Sequence, residues 1–157
     1  AVKKLNKFNT TPSFYESLPN VEIYKDVRNC LIIDAPEVSN EIVFTNDIVH
    51  LISDTQFEWL GRFDTIINSG GVKLYPEKIE AELSKLITSR FFVAGVSDVK
   101  LGEKLILIIE GESKSIEIEN LNLSKFEIPK EVYFINTFIE TETKKIQRKK
   151  TLDLIIL

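Results

Sequence analysis

The chain has 157 residues, 43% of them hydrophobic and 28% charged, and a formal net charge of −4. These are the proportions of an ordinary globular chain, long enough for one domain or for a small domain with part of another. The acidic balance argues against a nucleic-acid binder, which presents a basic face; the single cysteine rules out an intrachain disulfide; and no apolar run approaches the roughly 20 residues that span a bilayer. No basic-then-apolar leader opens the chain either, so the expected setting is the cytoplasm, away from membranes. With no methionine present, a piece of a longer protein is expected.

Residues 1–20 hold Lys, Asn, Thr and Ser around few apolar side chains and read as a loose lead-in. From Val21 the pattern changes to short strands: 21–24, then 30–33, where Cys30 reads as a small buried hydrophobe, then 41–45, 48–52 and 57–60. Turn residues such as Asp26, Asn29, Pro36 and Asn46-Asp47 separate them, the signature of a β-meander or part of a small barrel. Thr65-Ile66-Ile67 and Val72–Tyr75 flank Asn68-Ser69-Gly70-Gly71, which predicts a hairpin. Pro76 then opens a helix to Thr88 at its favoured first position. Ile79, Leu83, Leu86 and Ile87 form its apolar face, with Glu77, Glu80 and Glu82 early and Lys85 and Arg90 late, as the helix dipole prefers. Strands follow at 91–96, 105–110 and 132–135. Residues 113–126 are ambiguous between strand and helix, and a basic tail at 144–150 precedes an apolar end at 152–157. All-β sequence thus gives way to an α+β pattern after Leu60.

The fixed residues around that change carry a resemblance. Gly61, Arg62, Asp64, Ile67, Gly70, Gly71, Pro76, Ile79 and Glu80 stand at the spacing found in the hinge segment of the adenylate-forming enzymes, which include acyl-CoA synthetases, peptide-synthetase adenylation domains and luciferases. Phe44-Thr45-Asn46-Asp47 resembles that family's Thr-Gly-Asp, with Asp47 fifteen residues before Arg62. Thr141–Arg148 resembles its terminal Thr-x-x-Gly-Lys-Ile-x-Arg, with Lys144 in place of glycine and, just upstream, Ile139 in place of the usual proline.

The resemblance implies a fold and a set of roles. Residues 1–60 would be the β-rich end of a large N-terminal domain, and residues 61–157 a small mobile α+β C-terminal domain with a hairpin and a short mixed sheet packed by helices. Asp47 and Arg62 would hold the ATP ribose, Asp64 would be the hinge, Gly70 and Gly71 would line the channel for the pantetheine arm of CoA, and Lys145 would be the catalytic lysine of adenylation. The substrates would be ATP, CoA and a small carboxylic acid, with AMP as a product. The Mg2+ ligands, the pyrophosphate loop and the acid pocket would lie earlier in the enzyme, leaving this piece inactive alone and dependent on its own N-terminal domain. No metal site is expected here: His50 has no ligating companions. The wording around the hinge looks most like the o-succinylbenzoate–CoA ligases of menaquinone synthesis. Other acyl-CoA synthetases and carrier-protein-loading adenylation domains remain alternatives, as does a homo-oligomeric state.

Plainer readings stand beside these. Asn46-Asp47 could be a turn, Arg62 a surface partner of Glu58 or Asp64, and Lys144–Lys150 a solvated tail or the contact of a non-catalytic binding module. Lys144 either alters the approach of its loop or only needs a tolerated φ.

Overall fold

A computed structural model describes Val2, residues 14–113, residues 115, 116 and 118, and residues 121–155. The chain divides into two compact units, Ala1–Ile66 and Ile67–Leu157.

The first unit is one antiparallel sheet. Strands β1 (Tyr15–Glu16), β2 (Glu22–Lys25), β3 (Cys30–Asp34), β4 (Val43–Leu51) and β5 (Gln56–Arg62) lie in the order β1-β5-β4-β3-β2. The expected meander is therefore present, with β1 added outside β5. Alternate side chains bury one face around Ile23, Leu31, Val49 and Phe57, flanked by Tyr15, Leu51 and Trp59, the period-two pattern of a strand.

Two expected strands merge. Asn46-Asp47 is not a turn; it lies inside the unbroken strand β4. Its turn chemistry appears instead as a bulge: Ile32 faces Phe44 and Cys30 faces Ile48, so residues 45–47 oppose Leu31 alone. The Thr45 hydroxyl fills the gap by donating to the Leu31 carbonyl at 2.8 Å. A second irregularity lies opposite, where Ile48 faces Gly61 but Val49 faces Trp59. Bulges of this kind re-aim side chains, and both fall beside Asp47. Strand β5 runs on through Gly61 and Arg62, past the expected boundary after Leu60, into a single 3-10 turn at Phe63–Thr65.

The second unit is α+β. Strands β6 (Ile67–Ser69) and β7 (Val72–Leu74) form the predicted hairpin, paired Ile67 to Leu74 and Ser69 to Val72. Helix α1 (Pro76–Leu83) follows, then β8 (Phe91–Asp98), β9 (Gly102–Glu110), β10 (Glu131–Ile135) and a short helix α2 (Arg148–Leu152). Strand β9 is central. It pairs antiparallel with β8, parallel with β10 and, through Gly102, with Ser69 of β6. Both of its faces are buried. Leu105, Leu107 and Ile109 join Ile79, Leu83 and Ile87 from the α1 segment, while Ile106 and Ile108 meet Phe92, Phe138, Ile146 and Leu152. The sheet is thus covered by α1 on one face and by the C-terminal segment on the other.

Helix α1 stops earlier than the apolar spacing predicts. The amides of Lys85 and Leu86 donate three residues back, to Glu82 and Leu83, tightening the last turn. That rotation leaves Leu86 44% exposed while Ile87 stays buried. Arg90, expected to serve the helix dipole, instead lies over the Phe138 ring and pairs with Glu110 and Glu140. The expected strand or helix at 113–126 falls partly on residues outside the described ones, as does most of the lead-in and the end of the apolar tail.

Candidate functional site

In the first unit, strand register brings Asp47 of β4 opposite Arg62 of β5. The Asp47 amide donates to Thr45 Oγ1 at 3.1 Å, and its Oδ1 accepts the Trp59 indole N–H at 3.3 Å. Only Oδ1 of this half-buried carboxylate has a side-chain partner among the described residues. With Tyr15, Leu31, Phe57 and Trp59, Asp47 also lines a pocket of about 330 Å³. Arg62 Nε donates to Asp64 Oδ1 at 3.1 Å, so one of the plainer readings of Arg62 is present in the structure. The Arg62 hydrogen bond and the Asp64 amide hold the Asp64 carboxyl below its ordinary value.

A further cation here went unnoticed in the sequence. Arg28 donates from Nε to Asp26 at 2.8 Å and from Nη1 to Asn46 Oδ1 at 3.2 Å, and it stacks over the Phe63 ring at 5.1 Å. Asp26 fixes that turn by accepting the amides of Arg28 and Cys30. The Asp-x-Arg-Asn string was the available signal, but it predicts a turn without saying what the arginine reaches. The result is a carboxylate acceptor on β4, with planar guanidinium donors on the neighbouring strand β5 and on the turn before β3, groups suited to vicinal hydroxyls and anionic oxygens.

In the second unit, Gly70 and Gly71 carry φ of 59° and 82° and form the whole loop between β6 and β7. Two consecutive positive φ values define the type I′ turn that matches strand twist. The Gly70 amide donates to the Leu101 carbonyl at 2.8 Å, and a Cβ on Gly70 would lie 3.3 Å from Leu101 Cδ2. One on Gly71 would meet nothing within 4 Å. The supporting turn at 98–101 is set by Asp98, whose carboxylate accepts the amides of Lys100 and Leu101 at 2.9 Å each. Those two bonds hold its carboxyl below the usual range.

Lys145 stands on a second hairpin. Glu140 bridges to Ile146, the Thr141 amide donates to the Lys145 carbonyl at 2.9 Å, and the Lys144 amide donates to the Thr141 carbonyl at 2.9 Å. This is a loop of residues 142–144 whose third member takes left-handed backbone, as in the common turn-plus-bulge hairpin. Lys144 occupies that position with φ 62°. The tolerated φ is therefore the structural consequence of replacing glycine, at a cost of about 1–2 kcal/mol. Ile139, in place of proline, uses the N–H that proline lacks to donate to Thr151 Oγ1 at 3.2 Å. The Lys145 ammonium is exposed and has no partner among the described residues. No metal-holding cluster of three or more His, Cys, Asp or Glu side chains occurs among the described residues, and His50 lies exposed on β4 opposite Glu58.

Comparison with known proteins gives these parts a common origin. No protein-family model matches the chain. The oxalate–CoA ligase of Arabidopsis thaliana is 31% identical over 113 residues, covering 67% of this chain and 22% of that protein. A 2-succinylbenzoate–CoA ligase of Listeria innocua is 32% identical over 112 residues, covering 68% of this chain and 24% of its own. The crystal structure of an acyl-CoA synthetase (AMP-forming)/AMP-acid ligase II-like protein from Dyadobacter fermentans superposes with a TM-score of 0.58 at 33% identity, over 92% of this chain and 44% of that one. The chain belongs to the adenylate-forming acyl-CoA synthetase superfamily. It spans about a quarter of the length of these curated superfamily relatives, and its strand-rich sheets with few helices are those of the C-terminal portion of the adenylate-forming fold.

Proposed function

We propose that the chain is the C-terminal part of an AMP-forming acid–CoA ligase, residues 1–60 completing its N-terminal adenylation domain and residues 61–157 forming the mobile C-terminal domain. The observation that most supports this reading is Lys145, an ammonium without a partner among the described residues on a hairpin closed by the Thr141–Lys145 and Lys144–Thr141 backbone bonds. In the first half-reaction a carboxylate oxygen of the acid attacks the α-phosphorus of ATP, the bond to the pyrophosphate breaks, and acyl-adenylate forms. Negative charge grows on the phosphoryl oxygens, and a placed ammonium stabilises it without a covalent step. Asp47 accepts from the ribose hydroxyls and Arg62 donates to the ribose. Mg2+ accompanying ATP would take its protein ligands outside this chain.

In the second half-reaction the CoA thiolate attacks the acyl carbon and AMP leaves. A rotation about Asp64, close to where the first compact unit ends, exchanges the Lys145 hairpin for the Gly70-Gly71 turn at the reacting atoms. The bare outer side of Gly71 suits a passage for the pantetheine arm. The acid is o-succinylbenzoate in this reading, supported by the wording around the hinge and by the Listeria relative; the similarity to an oxalate–CoA ligase makes oxalate the control.

The test uses the full-length enzyme with and without Lys145→Ala, following pyrophosphate release with each acid, and separately thioester formation from pre-made acyl-adenylate. Loss of the first step with retention of the second supports the assignment. Equal adenylation by both proteins sinks it, and indifference of the wild type to o-succinylbenzoate removes that acid alone.

A further inference from the structure

The hairpin that carries Lys145 is tied down at both feet by residues distant in sequence. At one foot, Glu140 pairs with Arg90 from the segment entering β8. At the other, Arg148 opens α2 directly after the hairpin and forms a fork with Glu80 of α1: Nη1 to Oε1 at 2.8 Å and Nη2 to Oε2 at 2.9 Å. Glu80 has a second commitment. Its Oε1 accepts the Val93 amide at 3.0 Å, on the edge of β8 away from β9. Arg148 in turn lies over the Phe92 ring at 5.4 Å.

The two helices lie on opposite faces of the sheet, since α1 packs with the Leu105-Leu107-Ile109 face and α2 with the Ile106-Ile108 face. The Glu80–Arg148 fork therefore reaches around the β8 edge and joins the two layers. Glu80 is fixed on a helix and on a strand amide, so it offers Arg148 a rigid two-oxygen anchor. A bidentate carboxylate–guanidinium pair sets direction as well as distance. Only Ile146 and Gln147 separate Lys145 from Arg148 in the chain, and Gln147 is pinned by its amide to the Ile139 carbonyl and by its side chain to the Glu140 carbonyl. Movement of Arg148 is thus transmitted to the lysine.

We propose that Glu80 is a positioning residue for adenylation, holding the Lys145 hairpin at the angle the first half-reaction needs. This rests on the reading of Lys145 given above. Thioester formation, in which the reading above does not use Lys145, should be independent of Glu80.

The experiment measures both half-reactions in the full-length enzyme for Glu80→Gln, Arg148→Lys, Lys145→Ala and the Glu80→Gln/Lys145→Ala double variant. Glu80→Gln keeps an acceptor for Val93 but loses the charged fork. The expected result is a fall of about tenfold to a hundredfold in the maximal rate of pyrophosphate release, the scale of a misplacement near 1 Å, with thioester formation from pre-made acyl-adenylate within about twofold of wild type. Arg148→Lys, which keeps the charge and loses the fork, should fall between. On the Lys145→Ala background, Glu80→Gln should cost nothing further. Equal loss in both half-reactions with a matching drop in melting temperature would show a merely structural role and overturn the proposal. So would additive losses in the double variant, or unchanged adenylation in both single variants of the fork. If Lys145→Ala itself leaves adenylation intact, the lysine reading fails first and this one with it; if only Glu80→Gln is silent, this one fails alone.

Discussion

The hairpin at Gly70-Gly71 and the hairpin at Thr141–Lys145 both reverse the chain through left-handed backbone, yet they meet that demand with opposite side chains. The first uses glycine at both positions and presents little but backbone, buttressed by the neighbouring 98–101 turn. The second places Lys144 where glycine would be free of strain and Lys145 directly after it. Its backbone bonds and the ion pairs at its feet hold the loop despite that strain. A turn meant to stay bare relies on its neighbours for shape; a turn meant to carry charge can tolerate local strain if its ends are anchored.

The largest effect that would sharpen this comparison is at Lys145. In the full-length enzyme Lys145→Ala should slow pyrophosphate release by about a hundredfold to a thousandfold, the usual consequence of removing one donor from a charge-stabilising site, while no backbone change at Gly71 should mimic it. Next comes Gly70→Ala. Its left-handed φ and the 3.3 Å approach to Leu101 should together cost about 1–2 kcal/mol, measured by urea denaturation, whereas Gly71→Ala, whose Cβ would enter open space, should cost the strain of its own φ of 82° without a steric clash. Lys144→Gly should do the reverse and raise stability by about 1 kcal/mol; a loss instead would mean that the loop is not strained.

Acid sensitivity gives the smallest effect and applies to both hairpins. The carboxyls of Asp98, under the first, and Glu140, at the foot of the second, are held below their ordinary values, the former by the Leu101 and Lys100 amides and the latter by Arg90. A lowered folded value means that the stabilisation is complete above the unfolded value and disappears as pH falls through the folded one. Stability of Asp98→Asn and Glu140→Gln should therefore lie below wild type at neutral pH and converge with it as pH falls through the lowered folded values. Denaturation midpoints across that range check the sign.

Much of this was legible locally. β-branched runs gave the strands, Gly70-Gly71 between them specified the tight hairpin, and Pro76 fixed the start of α1. The failures share a cause. Asn46-Asp47 looked like a turn because a bulge draws on the same residues, and only pairing with β3 decides between the two. Leu86 fits the apolar period of a helix that, in three dimensions, tightens before reaching it. Glu80 and Arg148 were each visible as motif positions, but their contact joins residues far apart in the chain, and periodicity carries no information at that range. Arg28 was passed over between the turn residues Asp26 and Asn29; its reach to Asn46 and Phe63 depends on how β3 pairs with β4.

Cys30 has a practical consequence. Its side chain is fully buried where β3 meets β4, and burial pushes its thiol above the ordinary range. It is also the only thiol in the chain. An alkylating reagent should find nothing to modify until that strand pair parts, so the labelling rate becomes a clock for the opening of the first sheet alone. The second unit, which has no thiol, stays silent throughout, and the stability of the first sheet can be followed without cutting the chain.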